Sequence, residues 1–245
     1  MLAASLCVRL ERPAIAMTGP AKTLSTTMLE TLLSKLRLIS FKPHNPVVVE
    51  FVPPPWQCLG AGNYAAVFWH PDYSKQVVKV YAPGRPGIEA ETEVYRRLGQ
   101  HPAFSCCYAS GANFLILRRL EGITLYDCLH RGMPIPSQVI RDIDAALDYA
   151  RDRGLFPHDV HGRNVMLSEG RGLVVDISDF LETAPCRAWE DLKRAYWWIY
   201  RPIIMPVRLR IPYWMLDSVR AAYRWFRRGL RLLRSRQSGR KKADR

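Results

Sequence analysis

Residues 157–164 read Pro-His-Asp-Val-His-Gly-Arg-Asn, and Asp176 follows directly after the apolar run Leu173-Val174-Val175. The stretch supplies a carboxylate at Asp159 and a carboxamide at Asn164, and Asp176 adds a second carboxylate. Carboxylate and amide oxygens are ligands that suit Mg²⁺, and an acid, an amide and a second acid in this order are typical of phosphoryl-transfer sites. This spacing has little specificity on its own. Its interpretation depends on whether the rest of the chain supplies a phosphate-binding loop and a lysine.

A glycine-rich segment precedes this stretch. Residues 59–67 read Leu-Gly-Ala-Gly-Asn-Tyr-Ala-Ala-Val, which places Gly60 and Gly62 between two predicted strands. Glycines allow backbone N–H groups to close over phosphate oxygens without interference from side chains. A dinucleotide-binding loop would be followed by a helix, whereas Val67 and Phe68 favour a strand. An ordinary hairpin turn is the alternative interpretation of the segment.

A lysine lies in the next predicted strand. Residues 77–81 read Val-Val-Lys-Val-Tyr, so Lys79 is flanked by apolar side chains on both sides. A lysine is rarely buried without a partner, so a lysine inside an apolar strand is not expected to be simply solvated. A lysine on the edge of the sheet is the alternative.

Five segments between about residues 57 and 180 resemble, in order and spacing, the motifs of the protein-kinase-like superfamily. They are the glycine-rich loop, the strand lysine, a hinge within residues 114–122, the catalytic loop and the metal-binding loop. The resemblance implies an α+β, bilobal fold, with an antiparallel-sheet N-lobe that carries one helix and an abbreviated helical C-lobe. It also implies ATP and Mg²⁺ as cofactors.

The resemblance assigns catalytic roles to three residues. Asp159 would orient or deprotonate the acceptor hydroxyl. Lys79 would bind the α- and β-phosphates and would itself be held by a glutamate of the following helix. Glu91 fits the register of that helix, Glu93 is the competing candidate, and Glu89 fits less well.

The resemblance also predicts the nucleotide and metal contacts. Backbone groups between Arg119 and Glu121 would bind adenine, and Asn164 and Asp176 would ligate Mg²⁺. The predicted nucleotide-binding residues are Gly60, Gly62, Val67, Lys79, Arg119 and Glu121.

Several departures from the protein-kinase pattern limit what the resemblance implies. The catalytic loop has His158 where arginine is usual, and His161 stands where Ser/Thr kinases usually place a lysine. The metal loop reads Asp176-Ile177-Ser178, and Asp179-Phe180 is too far from Asn164 to replace it. No Ala-Pro-Glu motif follows, and only about a dozen residues separate Asp176 from the next predicted helix.

The C-lobe is therefore predicted to be abbreviated, as in RIO-like, Bud32-like and bacterial lipopolysaccharide-core kinases. Peptide kinases use the missing segment to dock their substrates, so phosphoryl transfer is predicted more firmly than its acceptor. Serine or threonine of a protein is the first candidate, and a sugar or lipid headgroup is the alternative. A nucleotide-binding pseudokinase that acts as an interaction module is a further alternative.

The chain of 245 residues suits one large domain with appendages. We predict an N-terminal appendage over 1–46 and a kinase-like domain over 47–200, followed by a basic helical extension over 201–245. The domain would divide into an N-lobe, 47–118, and a C-lobe, 122–200. The patterns of apolar and turn-forming residues predict strands over 65–69, 76–81 and 114–118, and helices over about 26–38 and about 188–200.

The basic extension carries most of the net charge of +14. Residues 208–245 hold thirteen Lys or Arg against two acids, so they account for +11 of it. A helix over 212–234 would carry an apolar stripe beside an arginine stripe, which fits docking on the core, an anionic membrane surface or, less well, nucleic acid. The apolar stripe comprises Met215, Val219, Ala222, Phe226, Leu230 and Leu233, and the arginine stripe comprises Arg220, Arg224, Arg227, Arg231 and Arg234.

The cysteines and the hydropathy pattern indicate the cellular compartment of the protein. The six cysteines have no zinc-ligand spacing, which favours buried free thiols in a reducing compartment. No apolar run is long enough to cross a membrane, and the short apolar patch at the N-terminus does not predict a secretory signal. We expect a cytoplasmic protein, with a peripheral position at the inner membrane face as an alternative.

Overall fold

Antiparallel strands dominate the first half of the chain in the computed structural model, which describes residues 24–41 and 45–226. The two N-terminal strands pair with each other, and the other five form one sheet in the order β3-β4-β5-β7-β6 once numbered along the chain. The strands are β1 (Arg37–Ile39), β2 (Val48–Phe51), β3 (Gln57–Ala61), β4 (Ala65–Trp69), β5 (Gln76–Tyr81), β6 (Cys107–Ser110) and β7 (Phe114–Arg118).

Helices cover both faces of the five-stranded sheet. The helix α1 (Thr26–Lys35) packs against one face, where Phe68 and Val78 are buried, and α2 (Ile88–Leu98) packs against the other. Side chains alternate between the faces of a strand, so the odd-numbered residues of β5 face α2. Lys79 therefore points to the α2 side of the sheet.

Helices dominate the second half. A short sheet, ordered β10-β9-β8, lies among them, and its strands are β8 (Ile123–Thr124), β9 (Val165–Ser168) and β10 (Arg171–Val174). The helices are α3 (Leu125–Arg131), α4 (Ser137–Arg151) and α5 (Ala188–Ala195), followed by a π-helix (Tyr196–Ile204) and a C-terminal helix over residues 213–226. The predicted α+β class is confirmed.

The helix α4 forms the centre of this half. Its apolar face is buried, including Val139 and Ile143, and β10 packs directly on it. A Cβ atom at Gly172 would lie 2.7 Å from the carbonyl oxygen of Val139. Only a residue without a side chain permits this approach.

The helix predicted to run from Ala188 to Tyr200 changes its hydrogen bonding partway. The α-helical part ends at Ala195, and a π-helix continues to Ile204 with Pro202 inside it. Proline has no N–H to donate, which disfavours a regular α-helix at that point. Tyr196 fixes the segment on the core, because its Oη donates to the carbonyl of Ile135 over 2.9 Å.

Two predicted boundaries differ at the ends of the chain. The helix expected over 26–38 ends at Lys35, because Leu38 pairs with Val49 in a strand instead. The C-terminal helix, predicted over 212–234, is described from 213 to 226, and residues 227–234 lie outside the described residues. The domain boundaries at 46 and 200 stay predictions. Among the described residues, no helix is long and apolar enough to cross a membrane.

The close contact at Gly172 generates a stability prediction. We expect Gly172→Ala to lower the free energy of unfolding by about 1–3 kcal/mol, because the new methyl group must displace the backbone of α4. Urea denaturation of the purified protein measures the change. The same substitution at Gly60, where nothing lies within 4 Å of the new Cβ, should stay within about 0.5 kcal/mol. Equal effects at the two positions would contradict the packing argument.

Candidate active site

A cavity of about 520 Å³ lies between the five-stranded sheet and the helical half. The predicted site residues that line it are Gly60, Gly62, Val67, Lys79, Glu91, Arg119, Asn164 and Asp176. Two predicted residues, Asp159 and Glu121, are not on its wall. The cavity thus brings together residues that are more than a hundred positions apart in the sequence.

Lys79 and Glu91 form an ion pair at the back of this cavity. The Nζ atom of Lys79 lies 2.7 Å from Oε2 and 2.9 Å from Oε1 of Glu91. Burial favours the neutral amine, but the negative charges of Glu91 and Asp176 outweigh it and raise the pKa of Lys79. The competing Glu93 instead binds Arg96 and Arg97 on the outer side of α2, and these bonds lower the pKa of Glu93 to about 2.

Tyr81 is a second partner of Glu91 that the sequence analysis missed. Its hydroxyl group donates to Glu91 Oε2, and burial together with the charge of Glu91 raises the pKa of the phenol. The signal was available in the sequence, because Tyr81 is two residues after Lys79 and so faces the same side of β5. The buried carboxylate is therefore held by two side chains of one strand.

Asp176 faces this ion pair across the cavity. Its Oδ1 atom lies 3.9 Å from Lys79 Nζ and accepts a hydrogen bond from the backbone N–H of Ser178 over 3.2 Å. Burial opposes ionisation, but Lys79 and the Ser178 bond outweigh it and lower the pKa of Asp176. Asp179, by contrast, has a raised pKa because of burial and the charge of Asp176. An ionised carboxylate at this position suits a hard cation.

Asp159 lies on the loop after α4 with an unusual backbone conformation. Its φ angle is 51°, a left-handed conformation that is uncommon for residues other than glycine. The carboxamide of Asn164 donates to the Asp159 carbonyl over 3.1 Å, and the thiol of Cys186 accepts from the Asp159 N–H over 3.4 Å. These bonds leave the Asp159 carboxylate exposed and the Asn164 Oδ1 atom free to act as a ligand.

His161 is next to the Asp159 carboxylate. Its Nε2 atom lies 3.6 Å from Asp159 Oδ2. Burial lowers the pKa of His161, and the charge of Arg220 acts in the same direction, whereas Asp159 opposes both. The imidazole is therefore predominantly neutral at pH 7. Within the described ranges, no group of three or more His, Cys, Asp or Glu is arranged to hold a metal ion.

The hinge connects β7 to β8 along the wall of the cavity. The backbone N–H of Arg119 donates to the Lys75 carbonyl over 2.8 Å, so this N–H is not available to a ligand. The Arg119 guanidinium lies over the Trp69 ring at 4.5 Å and 3.7 Å from Glu121 Oε1. The Arg119 guanidinium is thus occupied by the Trp69 ring and Glu121, and Arg119 and Leu120 are the hinge residues after β7 that line the cavity.

The C-terminal helix lies against the catalytic loop, which the sequence did not predict. The Oδ1 atom of Asp217 accepts hydrogen bonds from Tyr126 over 2.6 Å and from Arg163 over 2.7 Å. One turn earlier, the Tyr213 ring stacks on His130 at 3.7 Å. The polar side of this helix therefore faces the protein.

The apolar side of the same helix faces solvent. Its large side chains have high exposed fractions: 69% for Trp214, 64% for Val219, 80% for Trp225 and 58% for Phe226. The described members of the apolar stripe are exposed, with Met215 at 40%, Val219 at 64% and Phe226 at 58%, so docking of the stripe on the core, one of the three interpretations above, is wrong for the described part. An ordinary surface helix buries its apolar side and exposes its polar side, so the orientation of this helix is reversed.

No protein-family model matches the chain. A relative from Bacillus subtilis (strain 168), named "Putative serine/threonine-protein kinase YrzF", is 33% identical over 175 residues, which cover 69% of this chain and 80% of the relative.

Two solved structures of the Mycobacterium tuberculosis PknI kinase domain are also similar. One of them, a point mutant of that domain, is 24% identical with a TM-score of 0.41, and the match covers 60% of this chain and 65% of that domain. The second is 26% identical with a TM-score of 0.40, and the match covers 50% and 58%. The chain thus spans less than two thirds of these domains. The extent of the Bacillus match shows that the chain belongs to the protein-kinase-like superfamily of phosphotransferases.

Proposed function

We propose that this protein is an ATP- and Mg²⁺-dependent kinase that transfers the γ-phosphate to a hydroxyl group. One observation carries the proposal. Lys79 is held by Glu91 and faces the ionised Asp176, in a cavity that Asn164 and the glycine-rich loop also line. A cation and two oxygen ligands placed in this way are what a metal-bound triphosphate requires.

Each side chain has a defined task in this proposal. Lys79 binds phosphate oxygens, while Asn164 Oδ1 and Asp176 would hold Mg²⁺, whose bound form neutralises charge on the phosphates. The glycine-rich segment would cover the phosphates, with the Gly62 N–H already donated to the Ala65 carbonyl over 2.8 Å, and Val67 would pack against the base. Backbone groups between Arg119 and Glu121 would bind adenine, apart from the Arg119 N–H, which is already used.

Asp159 would act on the acceptor. Its exposed carboxylate can orient the hydroxyl group and accept its proton as the phosphoryl group transfers. The neutral His161 beside it can donate a hydrogen bond to the carboxylate without carrying a competing positive charge. The exposed position of Asp159 outside the wall of the cavity suits an acceptor that approaches from solvent.

The acceptor has two candidates. Serine or threonine of a protein follows from the name of the Bacillus relative. A sugar or lipid-headgroup hydroxyl is favoured by the short segment between Asp176 and α5, which leaves little chain for docking a peptide. The reversed polarity of the C-terminal helix also favours the second candidate.

Catalysis by Asp159 and Asp176 is tested by ATP turnover of the purified protein. We expect Asp159→Asn and Asp176→Ala each to lower turnover by at least about a hundredfold, because one removes the base and the other a metal ligand. Asp72→Asn is the matched control, because Asp72 is an exposed acid in the turn between β4 and β5. Mg²⁺-dependent nucleotide binding with equal turnover in wild type and Asp159→Asn would instead identify a pseudokinase.

The hydroxyl of Tyr81 is predicted to position Glu91 and, through it, Lys79. We expect Tyr81→Phe to lower kcat about tenfold, since loss of one hydrogen bond to a charged group costs about 1.5–3 kcal/mol. Steady-state kinetics with ATP and thermal unfolding are measured together. Tyr73→Phe, on the other side of the sheet, should change neither. Lower stability of Tyr81→Phe with unchanged kcat would mean that the hydroxyl has only a structural role.

We further propose that the protein is cytoplasmic and that its C-terminal helix contacts an anionic membrane surface. The exposed tryptophans suit the interface between headgroups and acyl chains, and the charge of +11 over residues 208–245 suits anionic lipids. Nucleic acid is the second candidate. Single-stranded nucleic acids bind in positively charged grooves, whereas the exposed face of this helix is apolar and does not form a groove.

Vesicle co-sedimentation tests the membrane proposal. We expect the double variant Trp214→Ser, Trp225→Ser to bind vesicles of phosphatidylglycerol and phosphatidylcholine at least about tenfold less tightly, because two large apolar groups no longer insert. Phe41→Ser is the control, since Phe41 is 72% exposed elsewhere. Salt-dependent binding of single-stranded RNA without vesicle binding would favour nucleic acid instead.

A further inference from the structure

Three arginines gather on the acceptor side of the cavity, between the catalytic loop and the C-terminal helix. Arg163 belongs to the loop, four residues after Asp159, and lines the cavity. Arg220 and Arg224 belong to the helix, one and two turns after Asp217. Residues three and seven positions apart share a helix face. The side chains of Arg220 and Arg224 therefore lie on the same face as Asp217, which contacts the catalytic loop.

Among the residues that the structure describes, Arg163 is the one of these three arginines that has an acidic partner. Arg163 is bonded to Asp217 and lies over the Tyr126 ring at 4.1 Å. Arg220 makes no hydrogen bond or ion pair within residues 24–41 and 45–226. Asp159, the other acid nearby, has His161 as its neighbour.

The surroundings of Arg220 make its charge unfavourable. The side chain is half-buried, and this burial, together with the charges of Arg163 and Arg224, lowers its pKa, while Asp159 and Asp217 act in the opposite direction. Partial removal from water destabilises a guanidinium that lacks a partner. A bound anion would offset this desolvation cost. Carboxylate and phosphate both match a guanidinium fork, and a phosphate ester offers up to three acceptor oxygens, which suits a site with more than one arginine.

We infer that Arg220, supported by Arg163, binds a phosphate group carried by the acceptor and so places the acceptor hydroxyl at Asp159. The inference rests on the proposed function, because it takes Asp159 as the residue that faces the hydroxyl. It names the acceptor class as a hydroxyl compound with a phosphate group. This class makes the second acceptor candidate, a sugar or lipid headgroup, more specific, since both sugar phosphates and phospholipid headgroups belong to it.

The position of the site follows from the anchoring of the helix. Asp217 holds the helix on Arg163 and Tyr126, and Tyr223 holds it on Asp191 through a bond of 2.8 Å. Arg220 lies between these two anchors in the sequence, so its backbone is fixed on both sides. An arginine on a fixed backbone binds an anion with little loss of conformational freedom.

The test uses the full chain saturated with Mg²⁺ and ADP, so that added phosphate esters cannot occupy the nucleotide cavity. Glycerol 3-phosphate, which has a phosphate group beside free hydroxyls, is titrated calorimetrically. We expect Arg220→Gln to weaken its binding about tenfold or more, and Arg220→Lys to have an intermediate affinity because the charge remains without the fork.

Arg201→Gln is the matched control, because Arg201 is an exposed residue of the π-helix and the variant removes the same charge. Equal affinities of Arg220→Gln and Arg201→Gln for glycerol 3-phosphate would overturn the inference. Equal thermal unfolding of the variants excludes loss of folding as the cause of a weaker affinity.

A second probe identifies the source of the phosphate group. Vesicles of phosphatidylglycerol in phosphatidylcholine are compared with glycerol 3-phosphate for the same variants. Weaker binding of both probes by Arg220→Gln than by Arg201→Gln assigns a lipid headgroup, and weaker binding of glycerol 3-phosphate alone assigns a soluble phosphate ester. Weaker binding of neither probe overturns the inference.

The phosphate site and the kinase activity are tested independently of each other. If Asp159→Asn does not change ATP turnover but glycerol 3-phosphate binding still requires Arg220, the kinase proposal is wrong and the phosphate site remains. If turnover requires Asp159 but binding is independent of Arg220, the kinase proposal remains and the phosphate site is wrong.

Discussion

The ion pair between Lys79 and Glu91 is the constraint on which the rest of the structure depends. Glu91 is only 1% exposed, and a buried carboxylate without a partner would cost several kcal/mol, on the order of 3–5. Its partners, Lys79 and Tyr81, lie on one strand, so the position of α2 against the sheet is determined by charge as well as by packing. Asp176 approaches the same pair from the helical half. One ionic contact therefore links three segments that are distant in sequence.

The C-terminal helix follows a different physical rule from the rest of the fold. On α4 and on both faces of the sheet the apolar side chains are buried, whereas this helix directs Asp217 toward the catalytic loop and exposes its tryptophans. Hydrogen bonds and stacking hold it in place instead of hydrophobic burial. This arrangement leaves a large apolar surface exposed, which a membrane or another molecule can cover.

Local pattern was sufficient to predict much of the fold and of the candidate site. The strands over residues 65–69, 76–81 and 114–118 agree with the structure to the residue, because turn-forming residues bound their apolar runs. Eight of the residues that line the cavity were predicted as site residues, because they lie in compact motifs. Glu91 could be preferred over Glu93 because the two lie on different sides of α2.

Features that depend on distant contacts could not be predicted. The ends of α1 depend on pairing between β1 and β2, and the π-helix depends on tyrosines that bind the loop before α4. The orientation of the C-terminal helix depends on Tyr126 and Arg163, which are 91 and 54 residues before Asp217. An amphipathic pattern specifies two faces but not which of them meets the protein.

The attachment of Asp217 to the catalytic loop has a consequence for biosynthesis. A ribosome makes the chain from its N-terminus, so the cavity, whose lining residues all precede residue 179, can assemble well before Asp217 emerges. The contact between the C-terminal helix and the catalytic loop forms only after Asp217 has left the exit tunnel. A nascent chain can therefore complete the cavity before this helix lies against the catalytic loop, and the order of synthesis separates the two events in time.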